Sequence, residues 1–328
     1  YIHPNLNRPN LTVLTKTHVH RILFEGNRAT GVEISGPGGQ REVSVNREIV
    51  LAGGAFASPQ LLQLSGVGPA EHLKSIGIDL VADRPEVGQN LQDHIDYVTA
   101  YKSPRKDTFG LSVKGGIDLT KAIFQWRKSG EGILTTTFAE SGGFIKSKSE
   151  LDRPDLQFHF VVGIVDDHNR KMHLGHGVSS HVCVLRPKSR GSVKLAINDA
   201  KKAPIIDMGF LTEQDDLDLL LTGFHKMRQI LEAPALSPWR GKELYTEGVS
   251  EDAALEKIIR DRADTVYHPV GSCRMGSDDD AVVDPQLRVN GIEGVRIADA
   301  SIMPRLIGGN TNAPTIMIGE KCADMMQH

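Results

Sequence analysis

The stretch EIVLAGGAFASPQLLQLSG, residues 48–66, decides the fold of this chain. Residues 49–52 are apolar without alternation, which is typical of a strand buried on both faces of a parallel sheet. Two glycines follow at once, and Ser58 before Pro59 predicts a helix with a serine cap and proline as its first residue. The stretch therefore predicts a strand, a glycine turn and a helix, where the backbone can pass close to a bound phosphate or ribose. A tight turn that binds nothing would need the same glycines.

The segments on either side of this stretch divide into two regions. Up to Tyr97, runs at residues 11–14, 19–24 and 29–34 predict hairpin strands, and glycine with short strands returns from Tyr267 onward. Between these parts the pattern predicts an α+β insert with a mixed or antiparallel sheet. Its predicted elements are helices at 117–128 and 215–231 and strands at 156–165, 181–185 and 192–196.

Composition excludes several classes of protein. The 328 residues carry 38 Lys and Arg against 41 Asp and Glu, a net charge of −3, so there is no basic excess to bind nucleic acid. Hydrophobic residues at 39% and charged residues at 24% are ordinary for a globular protein and exclude a disordered chain. The three cysteines cannot pair completely, which predicts a reducing, cytoplasmic location without a disulfide scaffold. No apolar run has the length of a membrane span, and attachment to the inner membrane surface is left open.

A few side chains are candidates for chemistry. His173 and His176 have a spacing that two metal ligands could use, but glycine interrupts the run and no HExxH helix is visible, so the sequence predicts a polar loop and no metal site. Cys273 has no evident base beside it, and we expect a buried thiol. His268 stands in a loop before a proline and a glycine turn, from which a neutral imidazole can take an alcohol proton near pH 7. A structural role for this lone histidine stays open on composition alone.

Four motifs occur in the order that one family has them. They are GAFASPQLLQLSGVG at 54–68, VGQNLQDH at 87–94, YHPVGSCRMG at 267–276 and a C-terminal block from Val282 to Asn312. Over essentially its whole length the chain resembles the glucose-methanol-choline (GMC) flavoprotein oxidoreductases, above all their alcohol dehydrogenase and choline dehydrogenase branch. The resemblance implies an α/β FAD-binding domain of Rossmann-like topology, incomplete at its N-terminus, with an inserted α+β substrate-binding domain.

The resemblance also implies how these domains divide the chain. Residues 1–97 and 266–328 would form the FAD-binding domain, and residues 98–265 the substrate-binding domain. The family holds the FAD pyrophosphate with an N-terminal GxGxxG segment, and this chain opens at Tyr1 without it. We therefore expect the C-terminal portion of such an enzyme, which by itself binds FAD weakly or not at all, with the N-terminal segment as a candidate partner.

By resemblance, the enzyme oxidises a primary alcohol to an aldehyde, passes hydride to flavin N5 and delivers electrons to a separate acceptor, a quinone or another. His268 matches the catalytic histidine and would remove the hydroxyl proton as a neutral base. Asn312 matches the second catalytic position and would orient the alcohol and stabilise negative charge through its amide. The residues that match FAD-contacting positions are Val19, Ala52, Gly53, Asp299, Ala300, Asn312, Ala313 and Thr315.

Two other functions stay open on the sequence. A choline dehydrogenase would need aromatic faces or a carboxylate around a quaternary ammonium group. The candidates for these are Trp126, Phe138, Glu140 and Phe144. A non-catalytic substrate-binding fragment would fit a chain that lacks the phosphate-binding segment, and the flavin absorbance of the purified chain tests that alternative.

Overall fold

The computed structural model describes residues 1–327 of the chain. Over that range the strands are β1 His18–Glu25, β2 Arg28–Gly36, β3 Gly39–Ser44, β4 Ile49–Leu51, β5 Val67–Gly68, β6 Ala82–Asp83, β7 Ile95–Ser103, β8 Gly110–Leu111, β9 Ser141–Ile145, β10 Leu156–Val161, β11 Gly175–Val184, β12 Ser192–Lys194, β13 Ile205–Asp207, β14 Asp264–Thr265 and β15 Val295–Ile297. The α-helices are α1 Gly54–Leu64, α2 Ala70–Ser75, α3 Val113–Ser129, α4 Gln214–Leu231, α5 Asp252–Arg262 and α6 Asn312–Met325. None of these helices, over the part of the chain described, has the length and apolarity needed to cross a membrane.

The deciding stretch forms a strand, a turn and a helix in the structure. β4 pairs in parallel with β15, which comes from the far end of the chain. The predicted start of the helix at Pro59 is wrong, because α1 begins at Gly54. Gly54 has a φ of 77°, a left-handed conformation that glycine adopts without strain, and the chain therefore turns into the helix directly after β4.

Pro59 lies inside α1 rather than at its first position. Because proline has no N–H, the Ala55 carbonyl one turn earlier lacks its usual helical donor. Ser272 Oγ donates to that carbonyl at 2.5 Å. This hydrogen bond attaches α1 to the YHPVGSCRMG motif at the carbonyl group for which proline provides no donor.

An antiparallel sheet of β1, β2 and β3 packs next to α1. The prediction of a further strand at residues 11–14 is wrong. This stretch is irregular, and Leu11, Val13 and Leu14 are exposed. Among the described residues no strand pairs with it, and an extended apolar run without a pairing partner does not form a stable strand.

The middle of the chain forms an antiparallel sheet, which settles the choice between mixed and antiparallel. The strand order is β14, β7, β11, β10, β9, with β8 against the end of β11, and every pair is antiparallel. Tyr97, Phe158 and Phe224 are buried between this sheet and the helices α4 and α5. Because side chains alternate along a strand, Gln157 and His159 of β10 point to the opposite face. That face borders the candidate site.

Two apolar cores correspond to the two regions. One is built from residues 22–87 together with 270–322, and the other from residues 95–259. The hairpin of β12 and β13 departs from this division, because Val193 and Leu195 pack with apolar residues of α1 and α2. The exact domain boundaries stay predictions, and this hairpin belongs by its packing to the first region.

Candidate active site

Two of the sequence motifs meet in space. Gln92 of VGQNLQDH and Val270 of YHPVGSCRMG exchange backbone hydrogen bonds of 3.0 and 2.8 Å. The Gln92 side chain also binds the loop that leads to α6, accepting from the Leu306 N–H at 3.1 Å and donating to the Pro304 carbonyl at 3.3 Å. The two motifs and this loop are therefore held together around His268.

Hydrogen bonds to side chains fix the backbone at Tyr267 and His268. Tyr267 has a φ of 69°, which is uncommon for a residue with a side chain. The Tyr267 N–H donates to Thr265 Oγ1 at 2.7 Å, and the His268 N–H donates to Asp93 Oδ1 at 2.9 Å. Burial raises the pKa of Asp93 to about 6. The buried Asp93 carboxyl group thus fixes the backbone position of His268.

The His268 imidazole lies between two partners and is 8% exposed. Its Nδ1 is 2.9 Å from His94 Nδ1, and its Nε2 is 3.3 Å from Asn310 Nδ2. Burial lowers the pKa of His268, as does the nearby His159, whereas the Asp96 carboxylate raises it. The net decrease keeps the imidazole neutral near pH 7, which is the form that accepts a proton.

The amide beside His268 belongs to Asn310, whereas the sequence assigns this place to Asn312. Asn312 is the exposed first residue of α6. Gln157 Nε2 donates to Asn310 Oδ1 at 3.1 Å, which turns Nδ2 of Asn310 toward the histidine. The run GNTNAP contains two asparagines, and position along the chain does not show which of them reaches the histidine until the loop conformation is known. The geometry favours Asn310 at the histidine, and a catalytic role for Asn312 stays a prediction.

Three of the predicted FAD-contacting residues line one cavity. Val19, Ala52 and Gly53 surround a space of about 360 Å³ between β1, the end of β4 and the start of α1. Ala52 and Gly53 are exposed, so the backbone of the turn is accessible. Ligands of open parallel sheets bind at the carboxyl ends of the strands, and the first N–H groups of a helix lack acceptors within the helix. This edge therefore fits a dinucleotide cofactor.

The predicted FAD residue Asp299 reinforces this edge from within the protein. Its carboxylate accepts hydrogen bonds from the Gly54 N–H at 2.9 Å, Ser58 Oγ at 2.5 Å and the Ser301 N–H at 2.8 Å. These bonds hold the end of β15 against the start of α1, and Ser58 acts here rather than as a helix cap. Ala300 follows in a short 3-10 turn. Because the carboxylate is occupied, a cofactor contact by Asp299 would be made through its backbone.

The remaining predicted FAD residues share the first turn of α6. Asn312 and Ala313 are exposed, and Thr315 Oγ1 donates to the Thr311 carbonyl at 2.7 Å. This turn follows Asn310 directly, so the predicted flavin-contacting residues adjoin the histidine site. The contacts of these residues with a cofactor stay predictions.

The other chemical candidates from the sequence lie outside this cluster. His173 Nε2 pairs with Asp166 Oδ2 at 2.6 Å, whereas His176 Nε2 is 2.7 Å from Ser112 Oγ, so the two histidines have different partners. Within residues 1–327 no group of three or more His, Cys, Asp or Glu side chains could hold a metal ion. Cys273 is buried, as expected, and burial raises the pKa of its thiol well above the ordinary value.

One of the residues considered for a quaternary ammonium group lies beside the site. Phe144 is paired with Gln157 in the neighbouring strand, and its ring atoms lie 3.9 Å from where a Cβ on Gly309 would be. Phe138 packs instead on another phenylalanine, with ring centroids 4.8 Å apart. The other two candidates, both exposed, are Trp126 on α3 and Glu140 just before β9.

No role for His94, Gln157 or His159 follows from the sequence analysis. His94 closes the VGQNLQDH motif, but its contact with His268 depends on the pairing of two distant segments. Gln157 and His159 alternate with apolar residues along β10. Polar residues at every second position of a strand with two covered faces are the signal that could have indicated a functional face.

Comparisons with known proteins match the chain to one family. Two family models, both described as GMC oxidoreductase, match it: the N-terminal model at residues 1–96 and the C-terminal model at residues 187–319. Alcohol dehydrogenase (acceptor) of Pseudomonas putida is 43% identical over 333 residues, which cover 99% of this chain and 60% of that protein. Mitochondrial choline dehydrogenase of Mus musculus is 41% identical over 342 residues, which cover 100% of this chain and 55% of that protein.

Solved structures show the same fold. Pyridoxine 4-oxidase from Mesorbium loti matches with a TM-score of 0.84 at 30% identity, covering 98% of this chain and 59% of that chain. A formate oxidase matches with a TM-score of 0.90 at 26% identity, covering 98% of this chain and 61% of that chain. The chain thus spans between 55% and 60% of the length of the two curated relatives described above.

Proposed function

This chain belongs to the GMC oxidoreductase family, and on that basis we propose that it supplies the catalytic residues of an FAD-dependent enzyme that oxidises a primary alcohol to an aldehyde. The observation that carries the proposal is the buried, neutral His268 with Nε2 turned toward Asn310, close to a turn that fits a flavin contact. The relative named alcohol dehydrogenase (acceptor) supports this reaction class with a separate electron acceptor. A matched formate oxidase of Aspergillus oryzae is described with FAD modification, which supports FAD as the cofactor.

In this proposal His268 receives the hydroxyl proton of the alcohol. The O–H bond of the substrate breaks and an N–H bond forms at Nε2, the nitrogen that faces Asn310. FAD, when bound, supplies the acceptor for the hydride that leaves the alcohol carbon. Burial of the imidazole keeps water away from the proton transfer and keeps the base unprotonated near pH 7.

Asn310 has the complementary role. A side-chain amide cannot take up a proton near neutral pH, but its N–H groups can donate to an oxygen that becomes negative. The hydrogen bond from Gln157 to Asn310 Oδ1 keeps the donating Nδ2 beside His268 Nε2, where the reacting oxygen would bind. Removing one such donor from an oxyanion site typically lowers the rate by about 10²- to 10³-fold.

The test is flavin reduction by an alcohol in the complete holoenzyme, measured without oxygen. We expect His268→Ala to lower the reduction rate by about 10²- to 10⁴-fold, because it removes the base. Asn310→Ala should lower it by about 10²-fold at unchanged FAD content. Asn312→Ala should lower the FAD content more than the rate of the loaded enzyme. A rate for His268→Ala within about tenfold of the parent would contradict the proposal, and a larger rate loss in Asn312→Ala than in Asn310→Ala would return the second catalytic role to Asn312.

A second candidate is oxidation of choline. The relatives named choline dehydrogenase favour it, and so does the exposed Phe144 ring close to Gly309. A quaternary ammonium group binds aromatic faces with about 0.5–2 kcal/mol. We therefore expect Phe144→Leu to lower kcat/KM for choline more than kcat/KM for a medium-chain alkanol, if choline is the substrate. Equal effects on both would favour the alkanol, and negligible rates of the parent with both would contradict both candidates.

A further inference from the structure

His94 is fully buried beside the proposed catalytic histidine. Its Nε2 lies 3.2 Å from the Leu185 carbonyl oxygen and 3.0 Å from the Ile307 carbonyl oxygen. A carbonyl oxygen can only accept a hydrogen bond, so the hydrogen of a neutral His94 must be on Nε2. Two backbone groups therefore select the tautomer of this side chain.

His94 is also neutral over the range in which the enzyme would work. Burial lowers the pKa of His94 to about 4, and repulsion from His268 contributes in the same direction. A neutral imidazole with its hydrogen on Nε2 carries a lone pair on Nδ1. Nδ1 of His94 is therefore a hydrogen-bond acceptor.

This acceptor faces Nδ1 of His268 at 2.9 Å. Two lone pairs cannot form this contact, so His268 must carry its hydrogen on Nδ1, and its own lone pair must be on Nε2. The other end of the site agrees, because Gln157 donates to Asn310 Oδ1 and the Asn310 amide N–H points at His268 Nε2. In the series of contacts from Gln157 through Asn310 and His268 to His94, each contact then joins a donor to an acceptor.

We propose that His94 is a positioning residue that fixes which nitrogen of His268 receives the alcohol proton. The inference rests on the proposed function of His268 as the base. When the substrate O–H bond breaks and a bond forms at Nε2, His268 becomes a cation with hydrogens on both nitrogens. Its Nδ1–H then donates a charge-assisted hydrogen bond to His94, which stabilises the protonated base. His94 itself gains no proton and does not touch the substrate.

Other charged or titratable groups around His268 also influence its ionisation and must stay unchanged in the test. They are Asp93 from the segment before β7, Asp96 from β7 and His159 from β10. A substitution at His94 leaves these groups in place. A change in the pH profile of such a variant can therefore be assigned to the Nδ1 contact.

The experiment compares three variants of the complete holoenzyme in anaerobic flavin reduction. His94→Phe keeps an aromatic ring but removes the acceptor, whereas His94→Gln offers an amide oxygen to His268 and an amide N–H to the two carbonyls. His176→Gln is the matched control, because His176 is also buried and also bound on both ring nitrogens, but to Thr108 and Ser112. We expect a rate about 10- to 100-fold below the parent for His94→Phe. His94→Gln should recover much of that loss, and His176→Gln should match the parent.

The pH profile separates positioning from a general loss of structure. Without its acceptor the protonated His268 is less stable, so the lower limb of kcat/KM against pH should move to lower pH in His94→Phe, together with the reduced maximum. His94→Gln should return the limb toward the parent value. A His94→Phe enzyme with parental rate and parental profile would overturn the proposal, and so would His94→Gln with no recovery.

The tautomers can be observed directly if His94→Phe fails to fold. In the parent holoenzyme labelled with ¹⁵N-histidine, NMR at pH 8 should show His268 with its hydrogen on Nδ1 and His94 with its hydrogen on Nε2. His268 with its hydrogen on Nε2 would overturn the proposal. Activity that survives in His268→Ala would instead contradict the proposed function, so the two failures are distinguishable.

Discussion

Asp93 and His94 are adjacent residues whose pKa values move in opposite directions. Burial raises the pKa of Asp93 from 3.8 to about 6 and lowers that of His94 from 6.5 to about 4. The Asp93 contribution to stability is present below pH 4 and is lost as the pH rises through 6. The His94 contribution is present above pH 6.5 and is lost as the pH falls through 4. Shifts of this size correspond to about 3 kcal/mol each, so the two contributions nearly cancel between pH 4 and 6.5.

We expect Asp93→Asn to reveal how His94 alone makes the free energy of unfolding depend on pH. Asparagine can still accept the His268 N–H, but it does not titrate, so the free energy of unfolding of this variant should fall by about 3 kcal/mol between pH 6.5 and pH 4 relative to the parent. Denaturant unfolding of the holoenzyme at several pH values measures this difference. Parallel curves for parent and variant would show that Asp93 is not shifted in the folded protein.

The sequence singles out His268 as a candidate but does not predict its surroundings. The histidine stands out because of its loop and its resemblance to a family motif, whereas His94, Gln157 and Asn310 become neighbours only through contacts between distant segments. The sequence therefore assigns the amide to Asn312, whereas the structure brings Asn310 to the histidine. The pKa changes at Asp93 and His94 arise from burial, which the sequence does not give for single polar residues.

At the scale of elements, α1 depends on a hydrogen bond from outside the helix. Ser272 Oγ donates to the Ala55 carbonyl, which Pro59 leaves without a helical donor. Ser272→Ala should therefore cost about 1–3 kcal/mol, because a buried carbonyl loses its partner. Pro59→Ala restores an N–H that can donate to the same carbonyl, so Ser272→Ala should cost about 1 kcal/mol less in that background.

A double-mutant cycle with the two substitutions measures this coupling by denaturant unfolding. Additive effects of Ser272→Ala and Pro59→Ala would show that the carbonyl is satisfied in another way. The same geometry explains why the sequence misplaces the start of the helix. Ser58 and Pro59 have the pattern of a helix cap, but the conformation of Gly54 starts α1 about one turn earlier. The Ser58 hydroxyl donates instead to the Asp299 carboxylate.

At the scale of the whole molecule, Gly88 marks where the hairpin of β12 and β13 joins the first region. Gly88 has a φ of 87°, and a Cβ on it would lie 2.1 Å from the Val193 carbonyl oxygen. The Gly88 carbonyl also accepts from the Val193 N–H at 2.7 Å. A side chain at this position would therefore push the hairpin away from the first region.

Gly88→Ala is expected to destabilise the protein by about 3 kcal/mol or more, because strain and a backbone clash combine. Gly26→Ala is the matched control, since Gly26 has a φ of 61° with open space around it, and should cost about 1 kcal/mol. Thermal unfolding of the holoenzyme compares the two. Equal losses would mean that the hairpin can move without cost.

The sequence predicts two regions and the structure has two main apolar cores, but the place of this hairpin could not be predicted. Apolar patterning identifies the strand around residues 192–196 and does not show which core it joins. In the structure Val193 and Leu195 pack against α1 and α2, although β11 before them and α4 after them in the sequence belong to the other core. Such choices depend on the shapes of surfaces that form only after folding.

The single N–H of His94 is shared between the Leu185 carbonyl, which follows the large sheet, and the Ile307 carbonyl, which belongs to the loop before α6. The position of the imidazole therefore depends on the separation of these two carbonyl groups, which belong to different parts of the fold. In the proposed enzyme, a substitution that repacks the sheet to admit a bulkier alcohol, without changing His268 or Asn310, would shift one carbonyl relative to the other and weaken the hold on the ring. If His94 has the proposed positioning role, changes of substrate range that move residue 185 should lower turnover before new specificity is gained.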